Sequence, residues 1–320
     1  MLHAPDRSLA PAYCLSMPDS QPSIVLAPPA NQILPSLAIA VSGVLWGLFW
    51  WPLRYFDDHG VNAAWVALVL YGVTVLATVP FVVRATPRRA LRDIDLWSTG
   101  LLTGGAFTLY TVSLIHTEVV RALLLFYLTP VWSTALGFVF MGHVVTRTRL
   151  LALALGIAGL LVVLDYRGAI PLPRNAGDWM ALAAGLAWAC GTIRLFARGV
   201  ARVPDTVMAF AVGGLASCLL LLALPELGLG ATPIAVAASA MMPTIVLIGL
   251  VVFVPTNVLI LWGSQRVDPG RVGLLLMTEC VVGTASAALF SGEPFGWREA
   301  LGSVLILGAG TVEVVRRTAR

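Results

Sequence analysis

Long apolar runs separated by short polar breaks occupy the chain from Ile33 almost to its end. A helix needs about 20 apolar residues to cross the hydrocarbon core of a bilayer, and most of these runs approach that length. The pattern predicts ten helices, at residues 33–54, 61–83, 96–115, 119–141, 150–164, 178–196, 206–224, 240–262, 272–290 and 299–315. We therefore expect an all-α, polytopic membrane protein.

Composition excludes the water-soluble classes. Of the 320 residues 58% are hydrophobic and only 11% are charged, whereas soluble domains carry about 25% charged residues. The net charge of +4 comes entirely from arginine, since the chain contains no lysine. Loop topology accounts for this charge, so we expect no nucleic-acid partner.

Two tails flank the apolar region. Residues 1–32 are rich in proline and small polar residues and lack the basic start and cleavage site of a signal peptide, so they predict a disordered cytoplasmic tail. Either Met1 or Met17 could be the true start. Residues 317–320 form a short basic cytoplasmic tail, and the regions 33–168 and 169–316 hold five predicted helices each.

The arginines indicate the orientation. With a cytoplasmic N-terminus and ten crossings, 15 arginines fall inside and five outside, which agrees with the positive-inside rule. The outside set is Arg54, Arg121, Arg167, Arg174 and Arg298. Both termini are then expected in the cytoplasm.

The second half of the chain repeats the first. A shift of 150 positions aligns residues 116–125 with residues 266–275, so that Glu118 meets Asp268 and Arg121 meets Arg271. Because each half holds an odd number of predicted helices, the two must cross the membrane in opposite directions. Inverted repeats of this kind are typical of secondary transporters, whose solute site lies near the midplane between the halves.

Several short motifs resemble the EamA-like family of the drug/metabolite transporter superfamily. They are the Trp-Gly opening in Ser42–Gly47, the stretch Tyr127–Trp132 followed by Met141–His143, and Thr278–Cys280 followed by Ser291–Glu293. The resemblance covers about residues 36–315. It implies a ten-helix metabolite carrier, commonly an exporter, and no particular solute.

Two positions depart from the family pattern. The glutamate expected at the end of the fourth helix is His143, and the proline expected after Glu279 is Cys280. These differences do not affect the expected fold. They weaken any inference from the family about which solute or coupling ion this chain uses.

Glu279 and Asn257 are the polar residues that point most directly to function. A charged group at the centre of a membrane helix costs roughly 2.5–3.5 kcal/mol on insertion scales, so Glu279 must face a cavity, pair with a cation or hold a proton. A protonated helix–helix hydrogen bond is the structural alternative. Asn257 follows Pro255 and Thr256, and proline-broken helices in carriers often line a cavity; a simple kink is its alternative.

Aromatic residues deep in the predicted helices complete the expected site. Trp46, Tyr110, Tyr127 and Trp188 could stack on a ring or enclose a cation. Packing or lipid contact would explain each of them individually.

Four further residues have both a functional and a structural interpretation. Arg121 and Arg271 are either gate latches, paired with Glu118 and Asp268, or anchors at the membrane interface. His143 and Glu293 lie at equivalent helix ends, where we expect them to cap and orient the turn.

Enzymatic signatures are missing from the sequence. The four histidines are scattered, no HExxH motif or phosphate-binding loop occurs, and Cys14, Cys190, Cys218 and Cys280 form no CxxC pair. We expect no catalytic residue, cofactor or metal, although an intramembrane enzyme remains a distant alternative.

The sequence thus predicts a multi-pass transporter in a bacterial inner membrane. Its expected partners are a small-molecule solute and membrane lipids, and a homodimer is left open. A lipid flippase, or a scaffold subunit that transports nothing, would share the same fold.

Overall fold

A computed structural model describes residues 32–61, 63–87, 92–117, 119–142, 144–163, 173–224, 235–291 and 296–318. Residues 1–31 of the predicted tail and the last two residues of the chain lie outside these ranges. So do Glu118, His143 and Glu293.

Helices make up the regular structure of the described part. In the first half they are α1 (Ile33–Gly47), α2 (Trp50–Asp58), α3 (Ala63–Ala85), α4 (Ile94–His116), α5 (Val119–Phe126), α6 (Thr129–Met141) and α7 (Arg147–Val163). In the second half they are α8 (Ala176–Arg198), α9 (Val203–Leu222), α10 (Ala235–Ile248), a π-helix (Gly249–Phe253), α11 (Val254–Ser264), α12 (Pro269–Leu276), α13 (Thr278–Ser291) and α14 (Trp297–Thr318).

Within the described residues, seven helical stretches are long and apolar enough to cross a membrane. They are Ile33–Leu53, Ala64–Ala85, Ala122–Met141, Ala176–Arg198, Val203–Leu222, Ser239–Ser264 and Pro269–Phe290. The polytopic, all-helical class is therefore confirmed. Helices α4, α7 and α14 match predicted helices but fall outside this set, so the count of ten crossings stays a prediction.

Three of the helices that the sequence predicts to be continuous are interrupted in the structure. The first breaks at Leu48 and Phe49, the fourth at Tyr127 and Leu128, and the ninth at Met277. Pro130 explains the second break, because proline has no N–H to donate to the carbonyl of Phe126. The Thr129 hydroxyl donates to that carbonyl instead, at 2.5 Å.

The break at Met277 is built in the same way. The Thr278 hydroxyl donates to the Leu275 carbonyl at 2.8 Å and also lies 3.3 Å from the Ala40 carbonyl. The Thr129 hydroxyl likewise reaches a second helix, at the Gly185 carbonyl. Aligning the two threonines places Glu279 at the position that Pro130 holds in the first half.

Helix α4 packs between α8 and α9, so that the two halves of the chain interlock. Small residues line this contact, as is usual where membrane helices approach closely. A Cβ added to Gly104 would overlap the Phe210 carbonyl and the Gly214 backbone, and one added to Gly191 would overlap Thr103.

Charged side chains meet at the end of the bundle where α4 begins and α8 ends, here called the arginine-rich end. Arg194 and Arg198 pair with Asp95 and Asp93. The Arg198 guanidinium holds the pKa of the Asp93 carboxyl below its usual value. These pairs are partly exposed, so each adds little stability.

The close helix contact can be tested by adding one methyl group. We expect Gly104→Ala to lower the free energy of unfolding by about 1–3 kcal/mol, because the methyl group has only backbone to displace. Gly72→Ala on α3 is the matched control, since its Cβ would meet nothing within 4 Å. Thermal unfolding of both variants in detergent measures the difference. Equal melting points would contradict the packing described.

Candidate functional site

The predicted cavity residues fall into two adjoining groups near the helix breaks. Trp46 of α1 and Trp188 of α8 contact the ring of Phe107, and Asn257 of α11 bonds to the backbone of Phe253, whose ring contacts Trp46. Tyr110 of α4, Tyr127 and Glu279 form the other group. Phe107 and Tyr110 lie one helical turn apart on α4, which joins the groups.

The first group is a continuous set of aromatic contacts. Trp46 stacks on Phe107 with ring centroids 4.9 Å apart, and Trp188 meets the same ring edge-on at 5.1 Å. Phe253 of the π-helix approaches Trp46 at 5.6 Å and Tyr71 at 5.7 Å. Such pairs favour offset or edge-to-face geometry because the ring faces are negative and the edges positive.

A π-helix directly precedes the helix that carries Asn257. The N–H of Val254 donates to the carbonyl of Gly249, five residues earlier, and Pro255 then begins the next turn without an N–H. The Asn257 amide donates to the Phe253 carbonyl at 2.8 Å. The sequence left open a broken helix or a simple kink at Pro255; in the structure the helix widens into a π-turn just before Pro255 and continues.

Three buried polar atoms of this group have no hydrogen-bond partner within the described part of the chain. They are the indole nitrogens of Trp46 and Trp188 and the carbonyl oxygen of the Asn257 side chain. Burying such groups without partners is costly. A solute that reached this group would find two donors and one acceptor without a described partner.

A small recess adjoins the first group. It is too narrow to hold a water molecule, and its walls come from α1, the π-helix and the start of α11. The lining residues are Leu45, Trp46, Phe49, Val252, Phe253 and Thr256.

The second group joins the two halves of the chain directly. The Tyr127 hydroxyl, in the break between α5 and α6, donates to a carboxylate oxygen of Glu279 at 2.5 Å. Tyr127 is only 2% exposed, whereas Glu279 is half-buried. Tyr110 stacks on Phe126 with ring centroids 4.4 Å apart.

Helix α1 lies against the backbone of this second group. A Cβ on Gly47 would stand 2.7 Å from the Glu279 carbonyl, and one on Gly43 would overlap the Thr278 hydroxyl. Trp46, between these two glycines, belongs to the first group. The two groups are therefore held by one helix as well as by α4.

The remaining candidates lie elsewhere. Arg271 is 1% exposed at the start of α12, where its guanidinium donates to the Gln32 side chain at 3.2 Å. Asp268 caps that helix and pairs with Arg149, a partner that sequence reasoning missed. Arg121 lies in the first turn of α5, and its side chain is outside the described residues.

Phe107 and Phe253 were also missed by sequence reasoning. Phe107 lies three residues before Tyr110, so the helical period would have placed it on the same face. Phe253 gave no such signal, because it lies in the π-helix, whose period differs from 3.6 residues.

The match to a protein-family model decides the family. The model of the EamA-like transporter family matches residues 34–165 and again residues 175–312. The chain belongs to the EamA-like transporter family. This is a family of membrane transporters, and its model matches once in each half of the chain.

Structural comparison agrees at the level of the fold. A solved structure titled "Crystal structure of protein" superposes with a TM-score of 0.70 at 16% sequence identity. The match covers 89% of this chain and 99% of the other. A search of curated protein sequences gave no match.

The contact between Tyr127 and Glu279 can be tested without knowing the solute. We expect Tyr127→Phe to lower the free energy of unfolding by roughly 1.5–3 kcal/mol, the usual worth of a hydrogen bond to a charged group. Tyr110→Phe is the control, because it keeps the stack on Phe126. In the Glu279→Gln background the effect of Tyr127→Phe should shrink, which thermal unfolding in detergent would show as non-additivity. Fully additive losses would contradict the pairing.

Proposed function

We propose that this protein is a secondary transporter of the bacterial cytoplasmic membrane that exports a small solute by alternating access. In this proposal ten helices cross the membrane in two inverted repeats of five, and both termini are cytoplasmic. The solute binds between the halves, against Trp46, Trp188 and Asn257, with Tyr110, Tyr127 and Glu279 beside it.

The hydrogen bond between Tyr127 and Glu279 is the observation that carries this proposal. It joins two helix breaks, one from each half of the chain. In carriers with inverted repeats, discontinuous helices meet at the solute site. A contact across both breaks is suited to change whenever the halves move against each other.

The chemistry of the site supports a small organic solute. Stacked rings offer flat apolar surfaces, and the two indole N–H groups with the Asn257 oxygen offer directional bonds. The described arginines lie near helix ends, so an anionic solute would find no cation from that part of the chain beside Glu279. A neutral or cationic solute avoids this penalty.

Glu279 is proposed as the group that couples transport to protons or senses an amine on the solute. Among the carboxylates of the described spans, Glu279 lies near the middle of its span, Pro269–Phe290, and away from the charged residues at the helix ends. When Thr129 is aligned with Thr278, Pro130 takes the position of Glu279 in the first half, so the two halves are chemically unequal there. A single carboxylate would carry one proton or bind one cation in each cycle.

Transport in proteoliposomes tests this role once a solute is known. A thermal-shift screen of metabolites and drug-like compounds identifies the solute, because ligand at 100 times its Kd stabilises by about 2.7 kcal/mol. We expect Glu279→Gln to slow uptake driven by a pH gradient by more than tenfold and to abolish its pH dependence. Glu299→Gln, at the exposed start of α14, should leave both unchanged.

Other outcomes favour the alternatives. Wild-type rate and pH dependence in Glu279→Gln would refute the coupling role. Lipid transfer between leaflets without solute flux would indicate a flippase, and neither activity would indicate a scaffold subunit. A consumed solute with a new product would indicate an intramembrane enzyme.

A further inference from the structure

A buried ion pair links the two halves at the arginine-rich end. Arg149, in the first turn of α7, pairs with Asp268, which precedes α12. Arg149 is 7% exposed and Asp268 is 2% exposed, unlike the partly exposed pairs of Arg194 and Arg198. Of these three ion pairs, only Arg149–Asp268 is buried.

The backbone around Asp268 is shaped to receive Arg149. Asp268 caps α12 by accepting the N–H of Gly270 at 3.0 Å and of Arg271 at 3.4 Å. A Cβ at Gly270 would overlap the guanidinium of Arg149, so glycine leaves the space that the cation fills.

Helix α7 also holds the other end of α12. A Cβ on Gly156, two turns after Arg149, would stand 3.0 Å from the Met277 sulfur and 3.2 Å from Leu274. Met277 is the break between α12 and α13, and Glu279 follows it by two residues. A movement of α7 relative to the second half would therefore move α12 and the residues that carry the carboxylate.

We propose that the Arg149–Asp268 pair is a latch that holds the arginine-rich end closed, and that α12 transmits its release to Glu279. This inference rests on the proposed transport function. Arg149 acts as a positioning residue, since it reaches the solute site only through α12.

The latch has a closed and an open state because the attraction between the two charges depends on whether water reaches them. Inside the protein the two charges attract strongly, and removing one partner alone leaves an uncompensated buried charge. Once water enters this end, each charge is hydrated and the attraction is weak. The pair is thus stable in the closed state and inexpensive to separate in the open state.

Cys280 is a natural reporter of this opening. It is 6% exposed and directly follows Glu279. In the full chain with Cys14→Ser, Cys190→Ser and Cys218→Ser, a membrane-impermeant thiol reagent labels Cys280 only when water reaches the site. Right-side-out and inside-out vesicles give the labelling rate from each side separately.

The main test variant removes both charges together. In Arg149→Gln/Asp268→Asn no unpaired charge is buried, and asparagine still caps α12. We expect Cys280 to be labelled at least about fivefold faster from the arginine-rich end and no faster from the other end. A fivefold change corresponds to a modest coupling free energy between the ion pair and the site. Arg198→Gln, which breaks a partly exposed pair at the same end, should change neither rate.

Other results would overturn the latch. Unchanged labelling in the double variant means that the pair does not control access. Equal acceleration from both sides means general loosening of the fold. Because labelling needs no solute, failure of the latch is distinguishable from failure of the transport role, which depends on Glu279→Gln and a known solute.

Discussion

The need to hydrogen-bond every backbone group inside the membrane constrains this structure more than any other interaction. Water is absent from the hydrocarbon core, so a helix can be interrupted only where another group takes over its carbonyls. The hydroxyls of Thr129 and Thr278 do this at the two equivalent breaks. The protein can therefore place irregular backbone at the centre of the bundle without leaving those carbonyls unpaired.

The same residues connect the halves of the chain. Thr129 reaches the Gly185 carbonyl and Thr278 approaches the Ala40 carbonyl, each on a neighbouring element. The aromatic contacts of Trp46 and Trp188 with Phe107 lie beside these points. The hydrogen bonding of the backbone carbonyls, the packing of the helices and the proposed solute site thus depend on one small region of the molecule.

The sequence predicted the positions of the helices well, because the apolar period and the charged breaks act locally. It also named Tyr127 and Glu279 as candidate cavity residues, the first as a deep aromatic and the second as a carboxylate in an apolar helix. It could not indicate that these two side chains touch, because that depends on how far the halves approach. The Arg149–Asp268 pair was missed for a related reason: Asp268 was considered with Arg271, and Arg149 resembles an ordinary loop charge until α7 and α12 are packed together.

Helix interruptions were the other feature that the apolar pattern hid. A break of one or two residues does not disturb a hydrophobic run, so Met277 and Tyr127 read as continuous helix. Proline and threonine at adjacent positions were the available signals. Such a pair, Thr129 and Pro130, follows the break at Tyr127 and Leu128, although the prediction of one helix over 119–141 did not use it, whereas at Met277 glutamate follows the threonine.

The π-helix at Gly249–Phe253 has a consequence for the register of everything that follows it. A turn that holds one more residue than an α-turn rotates the next helix by about 100° relative to an unbroken α-helix. The additional residue therefore sets which way Asn257 faces relative to the part of the span before Gly249. Length is therefore under constraint in this segment: loss of one residue between 249 and 253 would preserve the apolar composition of the span and still turn a different face of α11 toward the centre of the protein.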